Sequence, residues 1–518
     1  MRHFFAIVSL LGCLFILPMT HADVSLPAIF GDHMVLQRDL ENRVWGWAEP
    51  GEKVTVTIAD QEHSATADDK GNWEVKLAKL PAGGPHKLKI EGKNSRTISD
   101  LMVGEVWLCS GQSNMEWPVE QAYDGDLEKM IADNPNIRLI TVPHVGTQEP
   151  QKDFKGEWQQ ASAQSVKEFS AVGYYFGKQL QETLDVPVGL VDISWGGSAC
   201  EAWIERSLLA GDERFKPLHD YWVEFEKTYD FQKKKTEWQE QVKKWEDGGK
   251  QGPAPWEPWD ELKWRNRPAN IYNGVLKPIL GYGMRGAIWY QGETNAGRAH
   301  QYQELFPFMI SSWRNDWQIG DFPFYWVQLA DFTREVSEPG DSDWAELREA
   351  QTLTLDKLPN TGQAVIIDIG EADDIHPRNK RDVALRLARI ALAQDYGIKV
   401  PYTSPRYKSM TVEGNKIVVT FETGEHAEGA LKAFDKNELM GFTIAGEDKK
   451  FVPAQAKIIG NNQVEVWSDA VAKPVAVRYA WANNPVCNLE NRAGLPASPF
   501  RTDKWPGITE GNLAPQIN

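Results

Sequence analysis

Gly104-Glu105-Val106-Trp107-Leu108-Cys109-Ser110-Gly111-Gln112-Ser113-Asn114-Met115-Glu116-Trp117 changes character half-way along. The apolar run Val103 to Leu108, with the β-formers Val106 and Trp107, reads as a buried strand. Ser110-Gly111-Gln112-Ser113-Asn114 then ends it in turn-forming residues. Ser113 therefore stands where a strand hands over to a loop. At the carboxyl edge of an α/β sheet a serine so placed is held rigidly and stays open to substrate. Taken alone, the same residues make an ordinary polar turn, and the rest of the chain has to decide.

Outward from this stretch, strand-type runs alternate with helical ones as far as Gly397. The strands are Ile137 to Val142, Val188 to Ser194, Met284 to Tyr290, Phe324 to Leu329 and Ala364 to Ile369. Helices are expected at Val172 to Leu184, Tyr302 to Trp313, Trp344 to Leu358 and Lys380 to Tyr396. Such alternation implies a parallel sheet covered by helices on both faces. Between roughly 205 and 267 the pattern breaks into a charged segment bearing Trp222, Trp238, Trp245, Trp256, Trp259 and Trp264, read as a helical insertion. Its tryptophans either stack on sugar rings or pack the insertion onto the sheet.

Before the central stretch, residues 23–100 carry short alternating strands divided by turn chemistry at Glu49-Pro50-Gly51, Asp69-Lys70-Gly71-Asn72 and Pro81-Ala82-Gly83-Gly84-Pro85. After Pro401 the alternation of strands returns, among them Lys416 to Phe421, Gln463 to Trp467 and Val475 to Tyr479. The expected organisation is an N-terminal β-domain at 23–100, an α/β domain at 101–400 and a C-terminal β-domain at 401–518, the β-domains being sandwich-like.

The first residues carry Arg2, an apolar run from Phe4 to Leu17, and Pro18-Met19-Thr20-His21-Ala22, which ends in a small residue suited to cleavage. Residues 1–22 thus read as an export signal, with a lipoprotein box at Cys13 the less favoured alternative. The chain carries 56 basic and 73 acidic side chains, a net charge of −17, and loss of Arg2 with the leader makes it −18. That field repels nucleic acid and anionic membranes. No later stretch has the roughly 18 uninterrupted apolar residues of a membrane helix. Cys109, Cys200 and Cys487 lack metal-ligand spacing. Cys109 and Cys200 either form a disulfide or remain buried thiols.

A serine nucleophile needs a base, and the base needs a group that fixes its tautomer. Asp373-Asp374-Ile375-His376 follows the strand Ala364 to Ile369 and precedes a helix, so Asp373 and His376 share one loop. The Asp373 carboxylate can then accept from one imidazole nitrogen while the other faces Ser113. The competing reading is a helix cap by Asp373 or Asp374 beside a surface histidine. Donors for a developing oxyanion are available in Ser194-Trp195-Gly196-Gly197-Ser198, after the strand ending at Ile193, and in Gln291 of Tyr290-Gln291-Gly292-Glu293. Three such loops at the ends of strands in one sheet favour catalysis over chance turns. Met115 stands where a Gly-x-Ser-x-Gly elbow would need its second glycine, which disfavours an ordinary α/β-hydrolase.

Gly111-Gln112-Ser113-Asn114-Met115, Trp195-Gly196-Gly197-Ser198, Trp289-Tyr290-Gln291-Gly292-Glu293 and Asp373-x-x-His376 together resemble the SGNH hydrolases, and among them the sialate O-acetylesterase-like carbohydrate esterases. The similarity runs from Phe30-Gly31-Asp32-His33-Met34-Val35-Leu36-Gln37 to the tail at Asn491 to Arg501. It implies a three-layer, flavodoxin-like SGNH domain and a secreted or periplasmic ester hydrolase. Ser113 would be the nucleophile, His376 the base and Asp373 its orienter. Ser113 N–H, Gly197 N–H and Gln291 would be the oxyanion donors, with Gly196 as the alternative to Gly197. No metal or cofactor is expected.

Two other classes compete. A glycosidase needs a carboxylate pair, for which Glu293 and Asp374 are available, but it leaves Ser113 and the glycine loops without purpose. A non-catalytic sugar-binding protein accounts for the 22 tryptophans but not for the Ser, Asp and His set. Within the esterase reading, the acidic balance disfavours an anionic sugar unless basic side chains gather at the pocket. Glu293, Arg298 and Arg378 are the candidate substrate-binding residues. The expectation therefore leans to acetylated neutral plant polysaccharide such as xylan or xyloglucan, with an acetylated sialic acid as the alternative.

Overall fold

A computed structural model describes residues 23–515, apart from Glu425, Lys436 and Asn437. The expected export signal and Cys13 lie outside the described residues. The core of the molecule is a mostly parallel sheet. Its strands in chain order are β1 (Ser95–Gly111), β2 (Asn134–Thr141), β3 (Gln159–Ala161), β4 (Val188–Asp192), β5 (Gly286–Tyr290), β6 (Phe324–Val327) and β7 (Thr361–Ala364). Across the sheet they lie in the order β7-β6-β5-β1-β4-β2-β3, all parallel except β3, which runs against β2.

β1 sits at the centre because its second half is apolar on both faces, as a strand buried between two helical layers must be. Alternate residues sort cleanly onto those faces. Val106 and Leu108 join one core with Val191, Trp289 and Trp326, and Trp107 and Cys109 join the other with Leu190, Tyr290 and Tyr325. The helices follow the same division. The face of Trp107 and Cys109 is covered by α1 (Ala171–Leu184) and by α4 (Lys380–Gln394), whereas α2 (Ala299–Trp317) and α3 (Asp343–Leu353) cover the other.

That sorting settles the cysteine question. Cys109 abuts Gly173 of α1, while Cys200 lies on the opposite side of the sheet with its Sγ 3.7 Å from Met309 Sδ. Both are free thiols, so the Cys109–Cys200 disulfide does not form.

Two boundaries differ from the expectation. The division at residue 100 falls inside β1, whose first half pairs antiparallel with Gly83–Glu91 and whose second half enters the parallel sheet. The last strand is Thr361–Ala364, not Ala364 to Ile369. The ladder stops there because α3 captures the backbone of the segment after β6. Arg348 donates to the carbonyls of Leu329 and Ala330, and Gln351 Oε1 accepts from Leu329 N–H.

Before β1, Asn42–Trp47 pairs with Asn72–Leu77, and Lys53–Ile58 pairs with Gln61–Thr66 and Gly83–Glu91, all antiparallel. After α4, two four-stranded antiparallel sheets share a core built on Ile417, Val419, Phe442, Val464, Val466 and Tyr479. The insertion is helical as expected, at Arg206–Ala210, Lys216–Thr228 and Phe231–Asp247. Among the described residues no helix is long and apolar enough to cross a membrane.

Candidate active site

Parallel strands point their carboxyl ends the same way, so the loops after β1, β4 and β5 gather at one edge. At the end of β1, Gly111 has φ +130°, and a Cβ there would lie 2.2 Å from the Tyr290 carbonyl oxygen. Only glycine lets β1 approach β5 that closely before the chain turns. One helical turn, Ser113–Glu116, follows at once. Ser113 opens this turn, so its N–H has no acceptor within the helix.

His376 Nε2 lies 2.8 Å from Ser113 Oγ across 263 residues of sequence. The imidazole stacks on Trp117, centroid to centroid 5.0 Å at 16°. Burial lowers its pKa below the usual histidine value, the Lys380 charge adds to this, and Asp374 opposes it. The imidazole is therefore neutral, as a base must be, over a wider range of pH.

The carboxylate at His376 is Asp374, which corrects the assignment of Asp373. Asp374 Oδ1 accepts from His376 N–H at 2.8 Å and lies 3.4 Å from Nδ1. Asp374 is part-exposed and bridges through its backbone to Glu371, while Asp373 is exposed.

The backbone donors of Ser194 to Ser198 are unequally committed. Ser194 N–H goes to Asp192, Trp195 N–H to the Gly111 carbonyl, Gly196 N–H to Glu116 Oε2, and Ser198 N–H to the Trp195 carbonyl. Of these five N–H groups, that of Gly197, at φ +69°, has no acceptor among the described residues, which favours it over Gly196. Gln291, by contrast, is not free. Its Nε2 donates to the Ser198 carbonyl at 3.0 Å and to Asn295 Oδ1 at 2.7 Å, and its Oε1 accepts from Tyr302 at 2.9 Å. Fully buried and fully bonded, Gln291 props the end of the Gly196-Gly197 loop instead of presenting a donor to substrate.

Beneath Ser113 lies a buried network that the sequence reading missed. Asn114 Nδ2 donates to Glu293 Oε1 at 2.7 Å and to the Ile375 carbonyl at 3.0 Å, while Lys380 Nζ donates to Asn114 Oδ1. Burial pushes the Lys380 ammonium down to about 7 and raises the Glu293 carboxyl. Lys380 also sits over the rings of Trp117 and Tyr290, at 5.7 and 5.3 Å. Glu293 Oε1 is thereby bonded to Asn114, while its Oε2 is buried without a partner among the described residues.

The two arginines expected at the pocket differ in their surroundings. Arg298 is buried, 2.5 Å from Glu201 Oε1, and Gln301 takes a further N–H. Arg378 is exposed, donates to the Gln121 carbonyl and covers the ring of Tyr123. The insertion's tryptophans divide: Trp222 is buried, Trp256 is exposed, and Trp259 stacks on Trp264, which meets Trp195 edge-on at 6.0 Å beside the glycine loop.

A parallel sheet with a serine at its carboxyl edge and an imidazole in hydrogen-bond contact defines the class as a serine-type hydrolase. A family model described as a carbohydrate esterase, sialic acid-specific acetylesterase, matches residues 103–224 and 259–393. A solved carbohydrate acetylesterase from Xanthomonas citri is similar at 39% identity with a TM-score of 0.79, over 93% of this chain and 100% of that one. The sialate O-acetylesterases of Homo sapiens and Mus musculus are 27% and 28% identical, over 92% and 90% of this chain and 92% of each relative. The chain belongs to the sialate O-acetylesterase-like family of carbohydrate esterases, and it is a carboxylic ester hydrolase.

Proposed function

We propose that the protein removes O-acetyl groups from sugars through an acetyl-serine intermediate on Ser113, within a catalytic domain of the SGNH type. The observation that carries this reading is the 2.8 Å contact between Ser113 Oγ and His376 Nε2. His376 takes the hydroxyl proton as Oγ attacks the acetyl carbonyl, and Asp374 steadies the imidazolium that forms. The oxyanion of the tetrahedral intermediate faces the N–H groups of Ser113 and Gly197. The sugar alcohol leaves with the proton from His376 Nε2. Water, deprotonated by the same nitrogen, then cleaves the acetyl-serine and releases acetate.

Among sugars, we favour an acetylated sialic acid over the acetylated xylan or xyloglucan first expected, since several relatives are named for sialate esters. Acetate release from p-nitrophenyl acetate and from an acetylated sialic acid, together with mass spectrometry of Ser113 after a fluorophosphonate, tests the mechanism. Labelling at another residue, or turnover that survives Ser113→Ala, refutes it.

A further inference from the structure

Among the described residues, one charged side chain near Ser113 has neither a hydrogen bond nor an ion pair. Arg265 closes the helical insertion, next to Trp264, and its guanidinium lies against the glycine loop. A Cβ built on Gly197 would fall 2.6 Å from Arg265 Nε and from Nη2. The adjoining Gly196 is equally close to the nucleophile, since a Cβ there would be 3.3 Å from Ser113 Cβ. Arg265 Nε is buried with no acceptor. Glu116 and Glu261 act on the guanidinium only as distant charges, and burial lowers its pKa. The nearer ring contacts are Trp264, 4.9 Å from Cζ, and Trp259, at 5.8 Å.

A half-buried cation left unpaired is unfavourable unless something else completes it. The contrast with Arg298 is direct, because Arg298 is neutralised by Glu201. The nearest carboxylate to Arg265 is occupied: Glu116 accepts from Gly196 N–H and faces His144 Nε2 at 3.6 Å. The stacked pair Trp259 and Trp264 packs against the guanidinium and limits its movement. A planar fork so held suits a carboxylate bound through two N–H groups.

We propose that Arg265 receives a carboxylate on the substrate's sugar ring, so that the site selects O-acetylated acidic sugars over neutral ones. This rests on the acetylesterase reading of Ser113. A surface of net charge −17 repels an anionic sugar on average, and a single low-dielectric cation at the pocket reverses that field locally. Gly197 then has a double role. Its N–H faces the acetyl group, and its missing side chain makes room for the arginine.

The test is acetate release by the full chain from five esters: p-nitrophenyl acetate, an O-acetylated sialic acid, the carboxamide of that sialic acid, an acetylated uronic-acid oligosaccharide and an acetylated xylo-oligosaccharide. Wild type should prefer the sialic acid over its carboxamide by roughly 10- to 100-fold in kcat/KM, mostly through KM, as expected for a charge-assisted pair. Arg265→Gln should bring that ratio close to one, and Arg265→Lys should restore part of it. The uronate arm tells which acidic sugar supplies the carboxylate. Equal wild-type rates on acid and carboxamide overturn the proposal, as does an acid preference that persists in Arg265→Gln. A uniform fall in kcat on all five esters in Arg265→Gln also overturns it. Absence of wild-type turnover on p-nitrophenyl acetate is a separate result, which defeats the esterase reading itself.

Discussion

Replacing Asn114 by alanine removes the joint between the nucleophile's turn and the buried charges below it. Three hydrogen bonds go: Nδ2 to Glu293 Oε1, Nδ2 to the Ile375 carbonyl, and Lys380 Nζ to Oδ1. The two with charged partners are each worth about 1.5–3 kcal/mol and the third about 0.5–1.5 kcal/mol. Part of this is recovered, because burial holds Lys380 near 7 and raises Glu293, so both can exchange charge for neutrality. The expected net loss of stability is about 2–4 kcal/mol once that relaxation is allowed. The catalytic effect is separate. Ile375 precedes His376, so loss of the clamp on its carbonyl loosens the base, and a displacement of about 1 Å lowers turnover by about 10²-fold. Urea unfolding followed by tryptophan fluorescence measures the first, and kcat on p-nitrophenyl acetate the second. An Asn114→Ala protein within about 0.5 kcal/mol of wild type and above half its kcat would refute this account of the network.

Ser113→Ala and His376→Ala should each abolish nearly all ester hydrolysis without unfolding the chain, and the double variant should match either single one, because nucleophile and base act as a unit. Lys380→Met should move the acid limb of kcat/KM to higher pH. The Lys380 cation disfavours protonated His376, so its removal raises the histidine pKa and activity is lost sooner on acidification. The same variant should lose a stability slope: with Lys380 at about 7 when folded and at the ordinary lysine value of about 10.4 when unfolded, the unfolded chain binds the extra proton between them, so wild-type stability rises across that window. Glu105→Ala should destabilise by about 3–5 kcal/mol, seen as a lower denaturation midpoint, since this fully buried carboxylate holds Arg38, Arg285, Gln37 and Tyr396 together.

The fold was legible where burial leaves a repeating mark. Strands enclosed on both faces are short apolar runs, and the helices between them show in their spacing, so the sheet and its covering helices could be placed from the chain alone. The sequence was silent on what depends on neighbours in space. Nothing in the spelling of β1 says that its first half belongs to one sheet and its second to another. Adjacent Asp373 and Asp374 are equivalent in composition, and only the folded loop brings the second against His376. Gln291 has the chemistry of an oxyanion donor, yet whether an amide is free is decided by Ser198, Asn295 and Tyr302.

Lys380 did leave a signal in the sequence. It opens a 15-residue helix whose N-terminus already carries partial positive charge. A lysine there opposes the helix dipole, and burying it to 1% exposure adds a desolvation cost. Local rules are broken in this way mainly where function compensates. Arg265 breaks the same rule from the other side of the serine, half-buried without an ion pair. Neither side chain forms an ion pair among the described residues, although Glu293 acts on Lys380 and Glu116 on Arg265 through their charges. Each is instead held next to the loop or turn that supplies a free backbone N–H, Lys380 through Asn114 behind Ser113 and Arg265 against Gly197. Arg265 is thereby left to a substrate carboxylate and Lys380 to the buried network under Ser113, at a cost in folding that the large core sustains.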